Sequence, residues 1–394
     1  MRVLQLCSKP LFAPFDGGKL AMIDAAKGLR ENGIEVIQWM IHTRFHTFPK
    51  QFTSESGQII EKSFIDTSIN WKSAFLNLFK SQSYNIQRFD DKKANSELIA
   101  VIEKYKPDII HSESIYCLTA IEEIKKRFNI PIVLRAHNVE HQIWERTAQI
   151  TKNPIKKLYL NILVKKLKKD ELRIANYSDA IVALSEIDKQ FFQNYFPSKN
   201  MEVIGIGTRL KKSFHPTFPI SNIFHIGGMD WKPNQDGINW FLNQCWPLIH
   251  AAYPQLECIL AGLNMPQKLY ELENINVKIK VANDAEQFMN QHQILFVPLL
   301  SGSGIRVKII EALALGKVVI ATSIAAEGLG VTHNTNILIA NSKEDFLRQI
   351  TKCLEKSEVC LKISENAAIF AQENFNTLKN SQKLIALYNR LLKN

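Results

Sequence analysis

The sequence predicts an α/β protein built from two doubly wound domains. Three observations support this prediction. The chain has 394 residues, which is long for a single core. Short β-branched runs alternate with longer amphipathic ones, and this alternation restarts in the second half of the chain. Such a rhythm is typical of parallel sheets that are covered by helices on both faces.

The first half is predicted to begin with a strand, a helix and a second strand. The helix is predicted over Lys19–Asn32, and Gly33 suits the left-handed conformation with which helices often end. The strands predicted in this half are Val3–Leu6, Ile34–Ile41, Asp108–His111, Pro131–Arg135 and Ala180–Leu184.

The second half repeats the pattern, with predicted helices at Pro233–Ile249 and Ile305–Leu315. Its predicted strands are Asn222–Ile226, Leu256–Ala261, Val277–Lys280, Ile294–Pro298, Val318–Thr322 and Ile337–Ala340. Between the halves, Gly205–Pro219 has two glycines, two prolines and neither periodicity, which indicates a linker.

These elements divide the chain into two Rossmann-like domains that are expected to face each other across a cleft. The first domain is predicted at residues 1–208 and the second at 209–375, and a C-terminal helix at about 376–394 is expected to pack back on the first. Ligands of open α/β sheets bind outside the carboxyl ends of the strands. Functional residues are therefore expected in the loops that follow strands.

Composition narrows the classes of partner. The net charge of +11 favours anionic partners, whether phosphorylated small molecules, lipid surfaces or nucleic acid. Basic residues are not interleaved with aromatic ones in any nucleic-acid-binding module, so nucleic acid is the weakest candidate. No apolar run is long enough to span a membrane, and the N-terminal run is too short for a secretory signal.

Cysteine and carboxylate patterns predict neither a disulfide framework nor a metal site. The cysteines lack zinc spacing and are expected to be reduced thiols in a cytoplasmic protein. Acid-x-acid pairs occur at Glu271–Glu273 and Asp284–Glu286, in helix-like segments unlike a metal clamp at a strand end. No metal or other cofactor is therefore expected.

A glycine-bearing loop that opens a helix lies in SGSGIRVKIIEALALGKVVIATS, residues 301–323. Glycines let a ligand approach the backbone, and free N–H groups at a helix start favour phosphate. Arg306 and Lys308 would add charge-assisted hydrogen bonds to a diphosphate, and Glu311 would accept hydrogen bonds from a ribose diol. On an ideal helix the two basic residues diverge by about 200°. At most one would then face the ligand of Glu311, unless the helix begins late.

The segment resembles the donor-binding motif of the family 4 retaining glycosyltransferases, the group 1 glycosyl transferases with the GT-B fold. Glu311-Ala312, followed by Gly316-Lys317-Val318-Val319, matches the second half of that motif. The first glutamate of the motif falls at position 303, which is serine here, and one branch of the family is more similar, with Gly-Ser/Thr-Gly-x-Arg-x-Lys as in Gly302–Lys308. The resemblance implies donor contacts from Ser303, Gly304, Ile305, Arg306, Lys308 and Glu311.

Two segments of the first half also resemble the family. Pro14–Gly18 is similar to an N-terminal glycine loop, which implies that Gly17 and Gly18 lie near the donor phosphates and the acceptor. A tight turn between strand and helix explains these residues equally well. Arg135–Glu140 carries His137, where similar enzymes have a histidine that faces the transferred sugar. A purely structural histidine is the alternative there.

In the second half, Gly227–Asn234 follows a predicted strand and resembles a family loop with a basic residue that meets the donor diphosphate. Lys232 is the candidate here. Met229 stands where an arginine is usual, so Arg306 or Lys308 is expected to supply the second positive charge. Ala325–Gly328 resembles another family loop, although a simple turn explains it as well.

The resemblance implies transfer of a sugar from a nucleotide-diphosphate sugar to a hydroxyl acceptor, such as a glycan or a lipid-linked sugar, with retention of configuration. It also implies that the leaving diphosphate helps to deprotonate the acceptor. A nucleotide-sugar epimerase and a non-catalytic nucleotide-sugar-binding protein remain alternatives. Acceptor recognition is expected in loops such as His42–Lys62.

The lysine-rich stretch Lys152–Arg173 predicts a helix with a basic surface. Its buried stripe is expected to contain Ile155, Tyr159, Leu163, Leu167 and Leu172. Such a helix could rest on an anionic membrane as a peripheral contact. A solvated helix face packed on the sheet is the alternative.

Overall fold

A computed structural model describes residues 1–13, 16–49, 58–208, 218–229, 231–262, 264–282, 284–302 and 304–393, with only the backbone described at 272–275. The chain divides into two compact units. The first unit consists of Met1–Gly207 with Thr377–Asn394, and the second of Thr208–Asn376.

The first unit has a seven-stranded parallel sheet in the order β3-β2-β1-β4-β5-β6-β7. Its strands are β1 (Arg2–Cys7), β2 (Glu35–His42), β3 (Ile59–Phe64), β4 (Ile109–Ser112), β5 (Ile132–Ala136), β6 (Ala180–Ala183) and β7 (Asn200–Val203). Its helices are α1 (Gly17–Glu31), α2 (Trp71–Asn77), α3 (Tyr84–Gln87), α4 (Lys92–Tyr105), α5 (Leu118–Arg127), α6 (Glu140–Ile150), α7 (Pro154–Tyr177) and α8 (Glu186–Tyr195), joined by α16 (Thr377–Leu392) from the C-terminus.

The second unit has a six-stranded parallel sheet in the order β10-β9-β8-β11-β12-β13. Its strands are β8 (Asn222–Ile226), β9 (Glu257–Ala261), β10 (Val277–Lys280), β11 (Ile294–Val297), β12 (Val318–Ala321) and β13 (Leu338–Ile339). Its helices are α9 (Lys232–Trp240), α10 (Trp246–Ala252), α11 (Ala285–Asn290), α12 (Val307–Ala314), α13 (Ser323–Ala326), α14 (Lys343–Glu355) and α15 (Ser357–Asn374), with a π-helical turn at Phe241–Cys245 and a 3₁₀ segment at Gln267–Ile275.

The strand order reverses once in each sheet, between β1 and β4 in the first and between β8 and β11 in the second. At such a point the connections leave in opposite directions, and a crevice opens outside the carboxyl ends of the strands. Loops after β1 and β4, and after β8 and β11, are thereby placed side by side.

Helix α16 completes the core of the first unit. Its Leu384, Leu387, Tyr388 and Leu391 are buried against Val3 and other residues of the sheet and of α1. The two helices approach closely at Gly28, where an added Cβ would lie 2.9 Å from the Ser381 Cβ. The C-terminal helix is therefore an integral part of this core.

The predicted strands and the two-domain α/β class are confirmed, with small shifts at their ends. Gly33 adopts φ of +77° at the end of α1, as predicted. The strands β3 and β7 were not predicted. The assignment of His42–Lys62 to loops was wrong at His42, the last residue of β2, and at Ile59–Lys62, which belong to β3. Residues 50–57 of that segment, and 209–217 of the predicted linker, lie outside the described residues.

Two predicted helix features were also wrong in detail. The helix predicted to begin at Ile305 begins at Val307. Ile155 does not belong to the buried stripe of α7, because 80% of it is exposed. The predicted Leu163 and Leu167 are buried, and the stripe also contains Leu160 and Ile174, so that its members are spaced three, four and seven residues apart. No helix in the described part of the chain is long and apolar enough to cross a membrane.

Replacing Leu387 by alanine should destabilise the first unit strongly. Leu387 is completely buried in α16, so the change leaves a cavity and should cost about 2–5 kcal/mol in the free energy of unfolding. Leu392→Ala on the same helix is the matched control, because 44% of that side chain is exposed, and it should cost under about 1 kcal/mol. Denaturant unfolding of both variants measures the difference. Equal costs would show that α16 does not pack as described.

Candidate functional site

The loop between β11 and α12 bends at two glycines. Gly302 has φ of +122° and Gly304 has φ of +81°, backbone conformations that residues other than glycine rarely adopt. Ser303 between them lies outside the described residues, and Ile305 follows as a half-buried residue. Arg306 occupies the N-cap of α12 with an extended backbone, so the loop delivers the chain directly to a helix N-terminus.

Arg306 is pinned against the loop. Only 5% of it is exposed, its guanidinium carbon lies 5.5 Å from the centre of the Trp231 ring, and Nη1 donates to the Gly304 carbonyl. Because Arg306 precedes the helix, its direction is not fixed by helical spacing. The condition that the helix begins late is met, and the expected divergence between Arg306 and Lys308 does not apply.

Lys308 lies in a polar cluster beside β8. Its Nζ is 3.2 Å from the Asn234 Oδ1, to which it donates, and 3.4 Å from the His225 Nε2. His225 is fully buried, and its Nδ1 lies 3.0 Å from the Phe296 carbonyl oxygen. A carbonyl only accepts, so Nδ1 carries the proton and Nε2 is the acceptor for Lys308. Three elements, β8, α9 and α12, thus meet at one ammonium group.

The cluster changes the protonation of both bases. Burial, reinforced by repulsion from Lys308, lowers the pKa of His225 well below its usual value. Burial also lowers the pKa of Lys308 to about 7, with a further contribution from Arg306. Lys308 is therefore a half-buried amine that is poised near neutrality and would gain from an anion placed beside it.

Glycines bring the backbone of the loops after β8 and β9 close to each other and to this cluster. A Cβ at Gly227 would lie 2.5 Å from the Lys308 Nζ and 2.9 Å from the Asn234 Nδ2. Gly262, after β9, has φ of +145°, and a Cβ there would lie 2.0 Å from the Gly227 carbonyl oxygen. Asn234 Nδ2 donates to the Gly228 carbonyl over 2.8 Å, which fixes the loop against α9. Backbone, not side chain, therefore borders this side of the cluster.

Lys232 and Glu311, two other predicted site residues, lie on α9 and α12. Lys232 is exposed, with 73% of its side chain accessible, and it pairs with Asp236 one turn along α9. Glu311 is half-buried and follows Lys308 by three residues, so the two lie on one face of α12. Among the predicted residues, Lys308 and not Lys232 is the cation beside the glycines of the β8 loop. Asp230 in that loop lies outside the described residues.

The first unit places its own polar residues after β1. Asp16 caps α1 by accepting from the Lys19 amide over 2.9 Å, and it pairs with Lys9 at 2.6 Å. Gly17 begins the helix, and a Cβ at Gly18 would approach both the Asp16 Oδ1 and the Lys9 Nζ at 3.3 Å. The predicted glycine loop is therefore packed around an ion pair. Pro14 and Phe15 of that motif lie outside the described residues.

His137 follows β5, as expected, and is held by a carboxylate that the sequence analysis missed. Its Nε2 lies 2.7 Å from the Glu113 Oε2. The carboxylate accepts the Nε2 proton, so the neutral ring carries its lone pair on Nδ1. Burial lowers the pKa of His137, against an opposing effect from Glu113. A neutral, oriented imidazole can hydrogen-bond a sugar hydroxyl without changing charge.

Glu113 is completely buried directly after β4. Burial would raise the pKa of its carboxyl, but attraction by Arg135 and His111 and hydrogen bonding hold it well below the usual value. The Arg135 Nη1 lies 3.5 Å away, and the Gln5 Nε2 donates over 2.5 Å. Glu113 is therefore an ionised positioning residue behind His137.

This network extends to the C-terminal helix. The His111 Nε2 lies 3.3 Å from the Glu113 Oε1, and its Nδ1 lies 2.5 Å from the Tyr388 hydroxyl in α16. Arg135 also donates to the Ala21 carbonyl over 2.9 Å. The buried carboxylate thus links the first helix, three adjacent strands and the last helix of the chain.

Two glutamates, Glu140 and Glu171, lie close together where α7 meets the start of α6. The Glu171 side chain, completely buried, accepts from the Glu140 amide at 2.7 Å and lies 2.6 Å from the His141 Nδ1. Burial, with repulsion from Glu171, raises the pKa of Glu140 to about 7.

Among the residues that the structure describes, no group of three or more His, Cys, Asp or Glu side chains could hold a metal ion.

The residues that sequence analysis missed are Glu113, His225, Asn234 and Trp231. Glu113 follows a predicted strand, so its position alone could have identified it. Asn234 and Trp231 stood within the recognised Gly227–Asn234 loop. His225 is inside a strand, and only the sheet order reveals that it faces Lys308.

The fold and these loops define a glycosyltransferase of the GT-B type. Residues 16–212 match the family described as Glycosyltransferase Family 4, and residues 221–356 match Glycosyl transferases group 1. The first match alone spans half of the chain, so this chain belongs to the family 4, group 1 glycosyltransferases.

Individual proteins are similar to this chain in sequence or in fold. An uncharacterized 44.6 kDa protein in the cps region of Klebsiella pneumoniae is 24% identical over 301 residues, covering 73% of this chain and 76% of that protein. Sucrose-phosphate synthase from Thermosynechococcus elongatus has a similar fold, with a TM-score of 0.72 at 16% identity over 100% of both chains. HepE from Anabaena, solved in complex with UDP-glucose, has a TM-score of 0.64 at 15% identity over 99% of this chain and 100% of its own.

Replacing Glu113 by glutamine should destabilise the first unit, because the change leaves Arg135 without its buried counter-charge. The expected loss at about pH 7 is about 3 kcal/mol in the free energy of unfolding. The folded-state pKa of Glu113 is lowered, so its stabilising charge is fully present above the unfolded pKa of about 4.3 and is lost as pH falls below it.

Denaturant unfolding at about pH 7 and about pH 4 measures this effect. The difference between wild type and variant should shrink at the lower pH. Glu97→Gln is the control, because Glu97 is a partly exposed partner of Lys93 at 3.8 Å, and it should change stability by under about 0.5 kcal/mol at either pH. A Glu113→Gln loss that does not depend on pH would contradict the ionised state.

Proposed function

We propose that the protein transfers a sugar from a nucleoside-diphosphate sugar to a hydroxyl acceptor, with retention of the anomeric configuration. The observation that carries this proposal is the Lys308 cluster, where an ammonium group with a lowered pKa borders bare glycine backbone at the start of α12. The donor diphosphate is the anion that this arrangement fits. A similar fold, that of HepE, has been solved with UDP-glucose.

The diphosphate would be held by backbone and by cations. The first amides of α12 point out of the helix N-terminus, and its N-cap residue Arg306 has no side-chain acceptor with which to cap them. Lys308 and Arg306 would neutralise charge that develops on the leaving diphosphate. Gly302 and Gly304 let the phosphates approach the backbone, and Ser303 and Ile305 would contribute the loop contacts between them and the helix.

The nucleoside would be held by Glu311. Glu311 lies one turn from Lys308 on the same helix face, so a nucleotide with its diphosphate at Lys308 would place its ribose near Glu311. Lys232 is assigned a second diphosphate contact, for which its long side chain would leave Asp236. An exposed ion pair of this kind contributes under about 1 kcal/mol, so exchanging Asp236 for a phosphate is not costly.

The first unit would contribute His137 to the transferred sugar and the Gly17–Gly18 backbone to the phosphates and the acceptor. A double displacement would require a carboxylate nucleophile at the anomeric carbon. Glu113 does not fit that role, because it is completely buried and bonded to His137 and Gln5. We therefore assign reaction on a single face, in which the leaving diphosphate takes the acceptor proton. The chain's own residues would stabilise the diphosphate and orient the sugar, and no metal is required.

Affinity for UDP-glucose should fall as pH rises above about 7. Ligand-free Lys308 is largely neutral there, and the diphosphate favours its charged form, so binding must take up a proton. Calorimetry in two buffers with different ionisation heats should give an uptake approaching one proton at about pH 8. UDP-glucose has no terminal phosphate that titrates in this range, which isolates the protein group.

Lys308→Met should weaken binding and abolish the proton uptake. Lys268→Met replaces an exposed lysine in the same unit and should leave both unchanged. Equal proton uptake by wild type and Lys308→Met would contradict the assignment of Lys308 to the diphosphate.

A panel of nucleotide-sugars should identify the donor by thermal shift, because a ligand of the folded state at a hundred times its Kd stabilises it by about 2.7 kcal/mol. Glu311→Gln, Lys232→Ala and Arg306→Ala should each weaken the binding of that donor by about tenfold. NMR of the glycoside formed with an acceptor should show the configuration of the donor. Stabilisation by no nucleotide-sugar or nucleoside diphosphate would overturn the proposal.

The same assay separates the alternatives. Conversion of the donor into another nucleotide-sugar without acceptor would indicate an epimerase. Donor binding with neither transfer nor hydrolysis would indicate a non-catalytic binding protein.

A further inference from the structure

The first unit has a short helix whose apolar face points outward. In α2 the residues with large exposed fractions are Trp71 (74%), Phe75 (58%) and Leu76 (60%), and Phe79 (80%) follows the helix. Trp71 and Phe75 are spaced four apart and lie on one face of α2, and Phe79 continues this spacing in the turn after the helix. The rings of Phe75 and Phe79 contact each other edge-on with centroids 6.0 Å apart, so the exposed side chains form a continuous surface.

The opposite face of α2 is fastened to α7. Asn77 is buried, and the Lys166 Nζ of α7 donates to the Asn77 and Leu78 carbonyls at 2.5 and 2.9 Å. Ala74 packs against the cluster that contains Leu160 and Leu163 of α7. The small and polar residues of α2 thus face the protein, which is the reverse of the usual arrangement for a surface helix.

The adjoining helix adds more apolar surface and a strong positive charge. The first turns of α7 expose Ile155 (80%) and Leu158 (64%). Residues 151–169 contain no acidic residue and seven lysines, Lys152, Lys156, Lys157, Lys165, Lys166, Lys168 and Lys169. Lys72 and Lys80 flank the aromatic side chains of α2, and residues 67–82 contain no acidic residue either.

The second half of α7 continues this charge. Lys165, Lys168, Lys169 and Arg173 line a shallow cavity of about 500 Å³, together with the apolar Leu172 and Phe196. Large apolar side chains beside cations are complementary to an anionic lipid leaflet. The apolar side chains can contact acyl chains, and the cations can contact headgroup phosphates. An ordinary solvated helix and the turn after it would not expose four large apolar side chains within nine residues.

We propose that the α2–α7 surface, defined as Trp71–Phe79 with Ile155–Lys169, docks on an anionic lipid bilayer. Phe75, Phe79 and Trp71 insert at the boundary between headgroups and acyl chains, and exposed α7 lysines such as Lys156 and Lys157 contact the phosphates. The attachment is peripheral and weakens with salt, since Lys–phosphate attraction is screened. It would hold the enzyme at a surface where acceptors that carry a lipid are concentrated in two dimensions.

Sedimentation of the full chain with vesicles tests this surface. Phosphatidylcholine vesicles with about 30% phosphatidylglycerol should bind the protein, and pure phosphatidylcholine vesicles should bind it about tenfold less. Phe75→Ser with Phe79→Ser, and separately Lys156→Gln with Lys157→Gln, should each lower binding to the anionic vesicles by about tenfold. These side chains are exposed, so neither variant should lower the unfolding midpoint.

Matched controls come from exposed residues of the second unit. Val281→Ser with Ile369→Ser changes side chains that are 81% and 54% exposed, and Lys268→Gln with Lys362→Gln removes the same charge as the α7 double variant. Both controls should bind vesicles like the wild type. Equal losses in controls and α2–α7 variants would overturn the proposal, because binding would then follow total charge or apolarity and not this surface.

The insertion of Trp71 into the bilayer can be measured separately by fluorescence quenching. Lipids with brominated acyl chains should quench the fluorescence of Trp71, seen as the difference between wild type and Trp71→Phe. No difference between them, or no binding to anionic vesicles at all, would overturn the proposal. So would a dimer that the Phe75→Ser, Phe79→Ser variant converts to a monomer, since a second copy would then cover the face. Thermal stabilisation by the donor should be the same in every variant, which separates failure of this inference from failure of the proposed function.

Discussion

The organisation of the first unit depends on one buried carboxylate. Glu113 carries a negative charge where no water reaches it, and such a charge is tolerated only when partners surround it. Those partners arrive from β1, β4 and β5, and through His111 from α16. The requirement to satisfy a single charge therefore fixes the register of the central strands relative to the last helix. It also fixes the tautomer and direction of His137.

The second unit contains a largely buried cation, Lys308. Lys308 is held by a neutral histidine and an amide, neither of which supplies a counter-charge. These neutral partners offset only part of the free energy that is needed to bury the ammonium group. The remainder lowers the pKa of Lys308. The two units thus differ in electrostatic character: the buried charge of Glu113 has charged partners, whereas Lys308 has a neutral histidine and an amide as its hydrogen-bond partners.

The sequence predicted the central strands because their residues are buried on both faces and form apolar runs. It failed at β3 and β7, which are the two edges of the first sheet. An edge strand has one neighbour and carries polar side chains, as in Ile59–Phe64, so neither periodicity nor apolarity distinguishes it from a loop. Ile155 was misplaced for a related reason, since helical spacing defines a stripe but not which neighbours cover its ends.

In the candidate site, the sequence indicated residues that are close together along the chain and did not indicate residues whose partners are distant in sequence. Glycines, Arg306, Lys308 and Glu311 were found because they stand together along the chain. Glu113 and His225 were missed because their partners are distant in sequence: Glu113 meets Gln5 across 108 residues and His225 meets Lys308 across 83. Only the sheet order makes these residues neighbours, so no local pattern contains them.

The lowered pKa of Lys308 has a consequence for its chemical reactivity. A neutral amine is a nucleophile, whereas an ammonium ion is not, so the lowered pKa of Lys308 increases the fraction of this side chain that can react with acylating and aldehyde reagents at physiological pH. Lys317 has its pKa lowered to about 7 by burial as well, but it is wholly buried, and reagents cannot reach it. Of these two lysines, only Lys308 is partly exposed, so it is the one that such reagents would modify.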